Sequence, residues 1–232
     1  VNVKSKIIAR MLDRDPEAVI DQAWFAARLS RALAHRARLY SQPFYRLVHA
    51  ESDGLPGVVI DRFGEVAVVQ PNAAWAEAHL ADLVAALVSG TGGVTVIKNG
   101  SGRARGLEGL AEEIAVVHGT APFAPIPVPM NGATYMADLM GGQKTGLFFD
   151  QRENHAFAAR LARGAKVLDV FSHVGGFALA ALAGGDDVGV FAGRGLAGEA
   201  EAGLDVAALH GGSLDGGELG SLSGSFLTAD GD

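Results

Sequence analysis

Side chains able to do chemistry crowd into one short segment of the chain, GGQKTGLFFDQRENH at 141–155. Its cations can hold a carboxylate, and its aromatic rings can cover a planar base. The segment directly precedes a predicted helix, so these groups lie at a junction between elements. We therefore predict that six of its residues bind a ligand: Lys144, Thr145, Phe148, Asp150, Gln151 and Arg152.

A second segment, VLDVFSHVGGFALAALAGG at 167–185, has the pattern of a buried strand, a glycine turn and a helix. This order is typical of the start of a doubly wound α/β sheet. Glycines let the main chain approach a ligand, and the first turn of a helix offers free N–H groups. The glycine spacing is not that of the dinucleotide fingerprint. The predicted ligand-binding residues here are Asp169, Phe171, Ser172, Gly175 and Gly176.

Each segment also has a purely structural interpretation. Phe148 and Phe149 can be core residues, Asp150 can cap the helix that follows, and Arg152 can be solvated. The glycine turn can join a strand to a helix without binding anything. These alternatives stay open on the residues alone.

Composition excludes several classes of function. The 232 residues include no cysteine, which excludes disulfides, thiolate metal sites and a cysteine nucleophile. The seven histidines form no close pair, so we predict no metal site. No apolar run approaches the roughly 20 residues that cross a bilayer, and the opening residues lead us to predict no signal peptide. We therefore predict a cytoplasmic protein that does not interact with membranes.

Charge is distributed unevenly along the chain. Residues 1–48 hold nine Lys or Arg against four acidic residues, whereas residues 185–232 hold one against nine. A basic surface can face a phosphate backbone, although a solvated helix face explains the same residues equally well. The candidate RNA-binding residues are Arg28, Arg31, Arg36, Arg38, Arg103 and Arg105.

Hydrophobic periodicity predicts a mixed order of helices and strands. Residues 13–40 read as a helix that starts at Asp15 or near Asp21, with a core-facing stripe formed by Trp24, Phe25, Leu29, Leu33 and Ala37. Strands are predicted at 1–12, in three short runs over 44–70, and in VTVIKNG, EIAVVHG and KVLDVF. Helices are predicted at 73–88 and at 150–163, and the second of these is expected to bury Phe157 and Leu161. A Pro-rich domain junction is predicted at 121–129, followed by a hairpin at Asn131-Gly132.

In four of its segments the chain resembles the RlmI-type family of class I, S-adenosylmethionine-dependent ribosomal RNA cytosine-C5 methyltransferases. The matching segments are VNVKSKIIARML, DGLPGVVIDRFGE, GQKTGLFFDQREN and VLDVFSHVGGFALAALAGG, which span about residues 1–185. The resemblance implies S-adenosylmethionine as cofactor and large-subunit ribosomal RNA as partner. It also implies that the KTGLFFDQR segment and the DVFSHVGGF loop flank the cofactor.

The fold implied is α/β: an incomplete Rossmann-like methyltransferase domain preceded by a small α+β domain and the last strand of a PUA domain. The expected divisions are the PUA RNA-binding remnant at 1–12, a linker helix at 13–40, a central α+β domain at 41–125, the start of the Rossmann-like domain at 126–185, and a Gly-rich acidic tail without regular structure at 186–232. An unfinished sheet edge favours self-association, so a homodimer is the expected protein partner.

This sequence departs from the family pattern in two places. The family continues after Gly185 with a strand that ends in an acid for the ribose hydroxyls, whereas DDVGVFAGRG offers none there. The cysteine that attacks C6 of the base is also missing, so we predict no cytosine methylation by this chain. The alternatives are a non-catalytic RNA-binding fragment and a nucleotide-dependent oxidoreductase.

Overall fold

The computed structural model describes residues 1–141, 147–170, 174–184, 187–191 and 206–209. It divides the chain into two compact units. Unit 1 comprises residues 1–124 and 138–145, and unit 2 comprises residues 125–137 and 146–232. The first division along the chain falls within the Pro-rich stretch, and the domain boundaries expected from the sequence remain predictions.

Unit 1 is built on a five-stranded sheet in the order β1-β2-β3-β4-β5, with β3 and β4 parallel and the other pairs antiparallel. Its aliphatic and aromatic core lies between this sheet and helices α1 and α3. Its elements are α1 (Gln22–Ala37), β1 (Phe44–His49), β2 (Val58–Phe63), β3 (Val66–Pro71), α2 (Ala74–Ala78), α3 (Leu80–Thr91), β4 (Thr95–Asn99), α4 (Arg103–Leu107) and β5 (Ile114–His118).

Helix α1 begins at the second of the two predicted starts. The side chain of Asp21 accepts a hydrogen bond from the Trp24 amide at 2.9 Å, as an N-cap does. Asp15 instead accepts a hydrogen bond from the Glu17 amide in a turn before the helix, so the start at Asp15 is wrong. The predicted stripe is buried at Trp24, Phe25 and Leu29, half-buried at Leu33 and exposed at Ala37.

Two further sequence predictions for unit 1 need correction. The helix predicted at 73–88 is two helices, because His79 leaves the helical conformation at φ −108° and ψ 20°. The strand predicted at 1–12 is a set of turns, in which the Asn2 amide donates to the Ile8 carbonyl at 2.8 Å. The three runs over 44–70 and the VTVIKNG and EIAVVHG segments do form strands, as predicted.

Glu108 holds the N-terminal segment in place. Only 6% exposed, it accepts hydrogen bonds from the Ser5 hydroxyl at 2.6 Å, the Asn2 amide group at 3.0 Å, the Arg10 guanidinium at 3.0 Å and the Ala74 backbone N–H at 3.2 Å. Burial alone raises the pKa of Glu108, but these donors outweigh it and lower the pKa to about 2. The ionised carboxylate therefore stabilises the folded state.

We expect Glu108→Gln to lower the free energy of unfolding by about 2 to 3 kcal/mol at pH 7, because the new amide NH2 faces other donors. The folded pKa lies below the unfolded value of 4.5, so this advantage of the wild type is complete above pH 4.5 and disappears as the pH falls towards 2. Urea unfolding followed by Trp24 and Trp75 fluorescence, both in unit 1, measures the difference. The exposed Glu112→Gln is the control, and a pH-independent difference would contradict the expectation.

Unit 2 contains a two-stranded hairpin, a three-stranded sheet in the order β10-β9-β8, and two helices. Strands β8 and β9 are parallel, and β10 is antiparallel to β9. The Asn131-Gly132 hairpin forms as predicted. The elements are β6 (Ile126–Met130), β7 (Ala133–Ala137), α5 (Arg152–Ala162), β8 (Lys166–Val170), α6 (Gly176–Ala183), β9 (Asp187–Phe191) and β10 (Val206–Leu209).

Three sequence predictions for unit 2 are wrong. Phe157 and Leu161 are 54% and 72% exposed, because α5 buries His155 instead. The KVLDVF strand is not buried on both faces, since Leu168 is 58% exposed. The segment after residue 185 supplies a strand, because the backbone of β9 pairs along the whole length of β8 despite its central glycine.

Candidate functional site

Asp169 links β8 to the first turn of α6. Its buried carboxylate, only 8% exposed, accepts a hydrogen bond from the Ala178 amide at 3.0 Å. Burial raises the pKa of Asp169, and the hydrogen bond from Ala178 opposes that rise. Gly175 occupies the N-cap position of α6 in the left-handed conformation at φ 74°. Strand β8 and helix α6 thus form as the sequence predicted, with Gly175 directly before the helix.

Tyr135 reaches the first residue of α6 from the hairpin. Its side chain is fully buried, and the hydroxyl donates a hydrogen bond to the Gly176 carbonyl at 3.1 Å. Burial raises the pKa of Tyr135 to about 12, although the positive charge of Arg152 opposes the rise. The phenol is therefore protonated at neutral pH and can act as the donor.

His155 packs against the same glycine from α5. A Cβ atom at Gly176 would lie only 2.5 Å from His155 Nε2 and 3.0 Å from Nδ1, so the ring occupies the place of a side chain. The imidazole is 5% exposed and meets the Phe177 ring edge-on at 4.5 Å between centroids. Burial lowers the pKa of His155, and the negative charge of Asp150 only partly opposes this. The lowered pKa favours the neutral imidazole. Among the described residues, Nδ1 has no hydrogen-bond partner.

The aromatic and charged segment before α5 forms a short 3-10 turn, Phe149–Gln151, that leads into the helix. Phe149 is buried, whereas Phe148 is half-buried. Asp150 is exposed, and Gln151 rather than Asp150 stands at the N-cap position, so the capping interpretation of Asp150 is wrong. Arg152 is half-buried, with its guanidinium carbon 5.6 Å from the centre of the Phe149 ring.

Four of the predicted cofactor-binding residues lie outside the described residues: Lys144, Thr145, Phe171 and Ser172. The structure brings Asp169, Gly175 and Gly176 together at one junction. It adds Tyr135 and His155, which sequence reasoning missed. The only signals were their positions, since Tyr135 follows the Asn-Gly turn and His155 closes the DQRENH motif.

Three of the six candidate RNA-binding arginines are engaged inside unit 1. Arg105 is 1% exposed, Arg36 forms a two-pronged pair with Asp53 at 2.7 Å, and Arg28 pairs with Asp13 at 2.9 Å. Their guanidinium groups are committed to the protein, which argues against the predicted phosphate contacts at these three positions. The other three are exposed: Arg31, Arg38 and Arg103.

Two other classes of site are absent from the described parts of the chain. No helix there combines the length and apolar character needed to span a membrane. Nor do the residues described bring three His, Asp or Glu side chains together as metal ligands.

The sequence of this chain matches known methyltransferases. Residues 115–227 match the family described as S-adenosylmethionine-dependent methyltransferase. The chain is also 39% identical over 184 residues to the ribosomal RNA large subunit methyltransferase I of Pseudoalteromonas translucida, covering 78% of this chain and 46% of that protein. The chain is therefore similar to S-adenosylmethionine-dependent methyltransferases. The protein of the same name from Shigella boydii is 38% identical over a match of the same extent.

The chain thus spans about half the length of the curated methyltransferases it matches. Solved structures support the fold alone. A protein from Streptococcus mutans, described as a SAM-dependent methyltransferase, superposes with a TM-score of 0.62 at 22% identity, over 73% of this chain and 44% of that one. A methyltransferase structure complexed with SAH superposes with a TM-score of 0.63 and the same coverage. The α/β methyltransferase fold predicted from the sequence is confirmed.

Proposed function

We propose that this chain binds S-adenosylmethionine at the turn between β8 and α6, as part of a protein that methylates large-subunit ribosomal RNA. The observation that carries the proposal is the Asp169 carboxylate, which fixes the first turn of α6 through the Ala178 amide. A helix start held in this way presents its remaining N–H groups at a constant position. The names of the matched relatives, ribosomal RNA large subunit methyltransferase I, supply the substrate class.

The residues present fit such a cofactor. Gly175, in the turn before α6, has no side chain and a positive φ, so the main chain there can approach a ligand closely. The positive end of α6 suits a carboxylate such as that of the methionine part. When bound, the cofactor supplies an electrophilic methyl group. The chain binds and orients it, with Phe148, Asp150, Gln151 and Arg152 retained as proposed contacts next to Lys144, Thr145, Phe171 and Ser172.

One element of the cofactor site differs from the family pattern. Strand β9 stands where the resemblance places the strand that ends in a ribose-binding acid. In this sequence β9 is followed by Ala192, Gly193 and Arg194, and the next acidic residue is Glu199. A carboxylate that accepts two ribose hydroxyls forms strong hydrogen bonds. We therefore expect weak binding of the cofactor.

Thermal unfolding in the presence of S-adenosylhomocysteine, NAD or a short ribosomal RNA hairpin, run in parallel, tests the proposal. We expect a saturable upward shift with S-adenosylhomocysteine and none with NAD. Asp169→Ala should abolish the shift because it frees the first turn of α6, whereas the exposed Glu153→Ala should leave it unchanged. A shift with NAD alone would favour the oxidoreductase interpretation instead.

An RNA-binding fragment is the second candidate function, and it rests on exposed Arg31, Arg38 and Arg103 in unit 1. Affinity for the hairpin that falls steeply with salt and does not respond to S-adenosylhomocysteine would support it. The matched comparison is Arg103→Ala against Arg103→Lys at the same exposed position, since only the lysine variant keeps a positive charge that can reach a phosphate.

Methyl transfer is a separate expectation. We expect no incorporation of labelled methyl from S-adenosylmethionine into ribosomal RNA by the 232-residue chain, because its sequence has no cysteine to add to C6 of cytosine. Scintillation counting of purified RNA after incubation with the chain measures this. Label in cytosine would show that the reaction proceeds without that nucleophile.

A further inference from the structure

Gly176 is held from two directions by side chains of unit 2. On one side, the Tyr135 hydroxyl donates to its carbonyl. A carbonyl oxygen has two lone pairs, so it can accept this bond together with the regular bond of the helix. On the other side, the His155 ring covers its α-carbon so closely that only a glycine fits.

Both contacts come from elements other than β8 and α6. Tyr135 belongs to β7, and His155 belongs to α5. Asp169 adds a third contact two residues further along α6, from β8. Three separate elements thus converge on residues 176–178, which fixes the first turn of α6 in position and in rotation about its axis.

The chemistry of Tyr135 shows that its contact is more than filling of the core. Phenylalanine would fill the same volume without bringing a buried hydroxyl that needs a partner. The hydroxyl has its described partner at the start of α6. His155 is likewise a polar ring in a buried position, where an aliphatic side chain would avoid the cost of desolvating two nitrogens.

We infer that Tyr135 and His155 are positioning residues for the cofactor, holding Gly176 so that the first turn of α6 meets its amino-acid end. The inference rests on the proposed function. Neither residue is expected to touch the reacting atoms. They act through the main chain of Gly176, and their loss changes where its neighbouring N–H groups point.

Two ligands separate positioning from general stability. S-Adenosylhomocysteine carries the amino-acid end, whereas methylthioadenosine keeps the ribose and adenine and lacks it. We expect Tyr135→Phe to weaken binding of S-adenosylhomocysteine by about five- to tenfold, the effect of one hydrogen bond, while the affinity for methylthioadenosine stays within twofold. Titration calorimetry of both ligands measures the split. Tyr45→Phe, a buried tyrosine of unit 1, is the matched control.

Hydrogen exchange of the ligand-free protein tests the hold itself. Amides of the peptide covering 174–183 should exchange faster in Tyr135→Phe and in His155→Ala than in the wild type, with no change in Tyr45→Phe. An equal loss of affinity for both ligands, or unchanged exchange at 174–183, would overturn the inference. If the wild type binds neither ligand, the proposed function fails and so does the cofactor role, while faster exchange would still establish the hold on Gly176.

Discussion

Gly176→Ala is expected to destabilise unit 2 by about 2 to 3 kcal/mol and to remove binding of S-adenosylhomocysteine. Alanine is a better helix former than glycine, so propensity alone predicts a gain. The loss arises because the new Cβ would lie 2.5 Å from His155 Nε2, inside a buried contact that leaves the ring little room to move. Hydrogen exchange of peptides from α5 and α6, together with ligand titration, measures both effects.

Removing the ring should rescue this variant. In a His155→Ala background the space at Gly176 is open, so the further change to alanine should cost less than about 1 kcal/mol. Gly106→Ala is the matched control for alanine in a helix, because a Cβ there meets nothing within 4 Å. An equal cost of Gly176→Ala with and without the His155 ring would show that the steric explanation is wrong.

The sequence predicted the glycine turn but not the reason for one of its glycines. Gly175 has the positive φ that such turns require. Gly176 was predicted to let a ligand approach the main chain, whereas the structure shows a protein ring against it. That contact joins residues 21 positions apart in the sequence, on two helices whose packing no local pattern reveals.

Element types were more predictable than which faces are buried. Strands and helices followed from periodicity in both units, and the Asn131-Gly132 turn formed as expected. The apolar residues Phe157 and Leu161 of α5 are nevertheless exposed, because the helix packs on α6 through His155. A helical stripe shows which residues share a face, but tertiary contacts decide which face is covered.

Strand β9 was missed for a related reason. The segment Asp187–Phe191 starts with an aspartate and has a glycine at its centre, and both residue types are depleted in strands, so its intrinsic strand propensity is reduced despite Val188 and Val190. Pairing with β8 over five residues supplies the backbone hydrogen bonds that propensity does not indicate. The ribose-binding acid, in contrast, depends on residue identity, and the sequence alone shows that Ala192 follows the strand.

For the six candidate RNA-binding arginines, a count of charges along the sequence does not show which side chains are paired within the protein. The six arginines were chosen as RNA-binding candidates for their positive charge, yet three of them form ion pairs with carboxylates of their own unit. Sequence position could not reveal this, since Arg105 reaches Glu77 across 28 residues and Arg36 reaches Asp53 across 17. Only the exposed members of the group remain available to a phosphate backbone.

Arg105 is expected to be among the most sensitive positions of unit 1. Its guanidinium donates to the carbonyls of Pro71 at 2.6 Å and Ala111 at 2.8 Å, and to the Glu77 carboxylate at 2.8 Å. Lys98, the other cation on Glu77, also pairs with Glu113 at 2.6 Å. Burial raises the pKa of Glu77, but the hydrogen bonds from Lys98 and Arg105 lower it overall, so the carboxylate is charged and needs both partners.

We therefore expect Arg105→Met to lower the free energy of unfolding by about 3 to 5 kcal/mol, because the Pro71 and Ala111 carbonyls lose their donor and the half-buried Glu77 carboxylate keeps only Lys98 as a cationic partner. Arg105→Lys should lose nearly as much, since one ammonium cannot reproduce a planar fork that spans three acceptors. Urea unfolding followed by Trp24 and Trp75 fluorescence measures both, with the exposed Arg103→Met in the same helix as control.

A double variant tests the cause of that loss. Adding Glu77→Gln to Arg105→Met removes the charge that the first change leaves without one of its partners, so the pair should cost less than the sum of the two single changes by at least about 1 kcal/mol. The bond from Lys98 to Glu113 at 2.6 Å involves neither of the changed residues. Strictly additive costs would mean that the carbonyl contacts of Arg105, and not its charge, hold this part of unit 1 together.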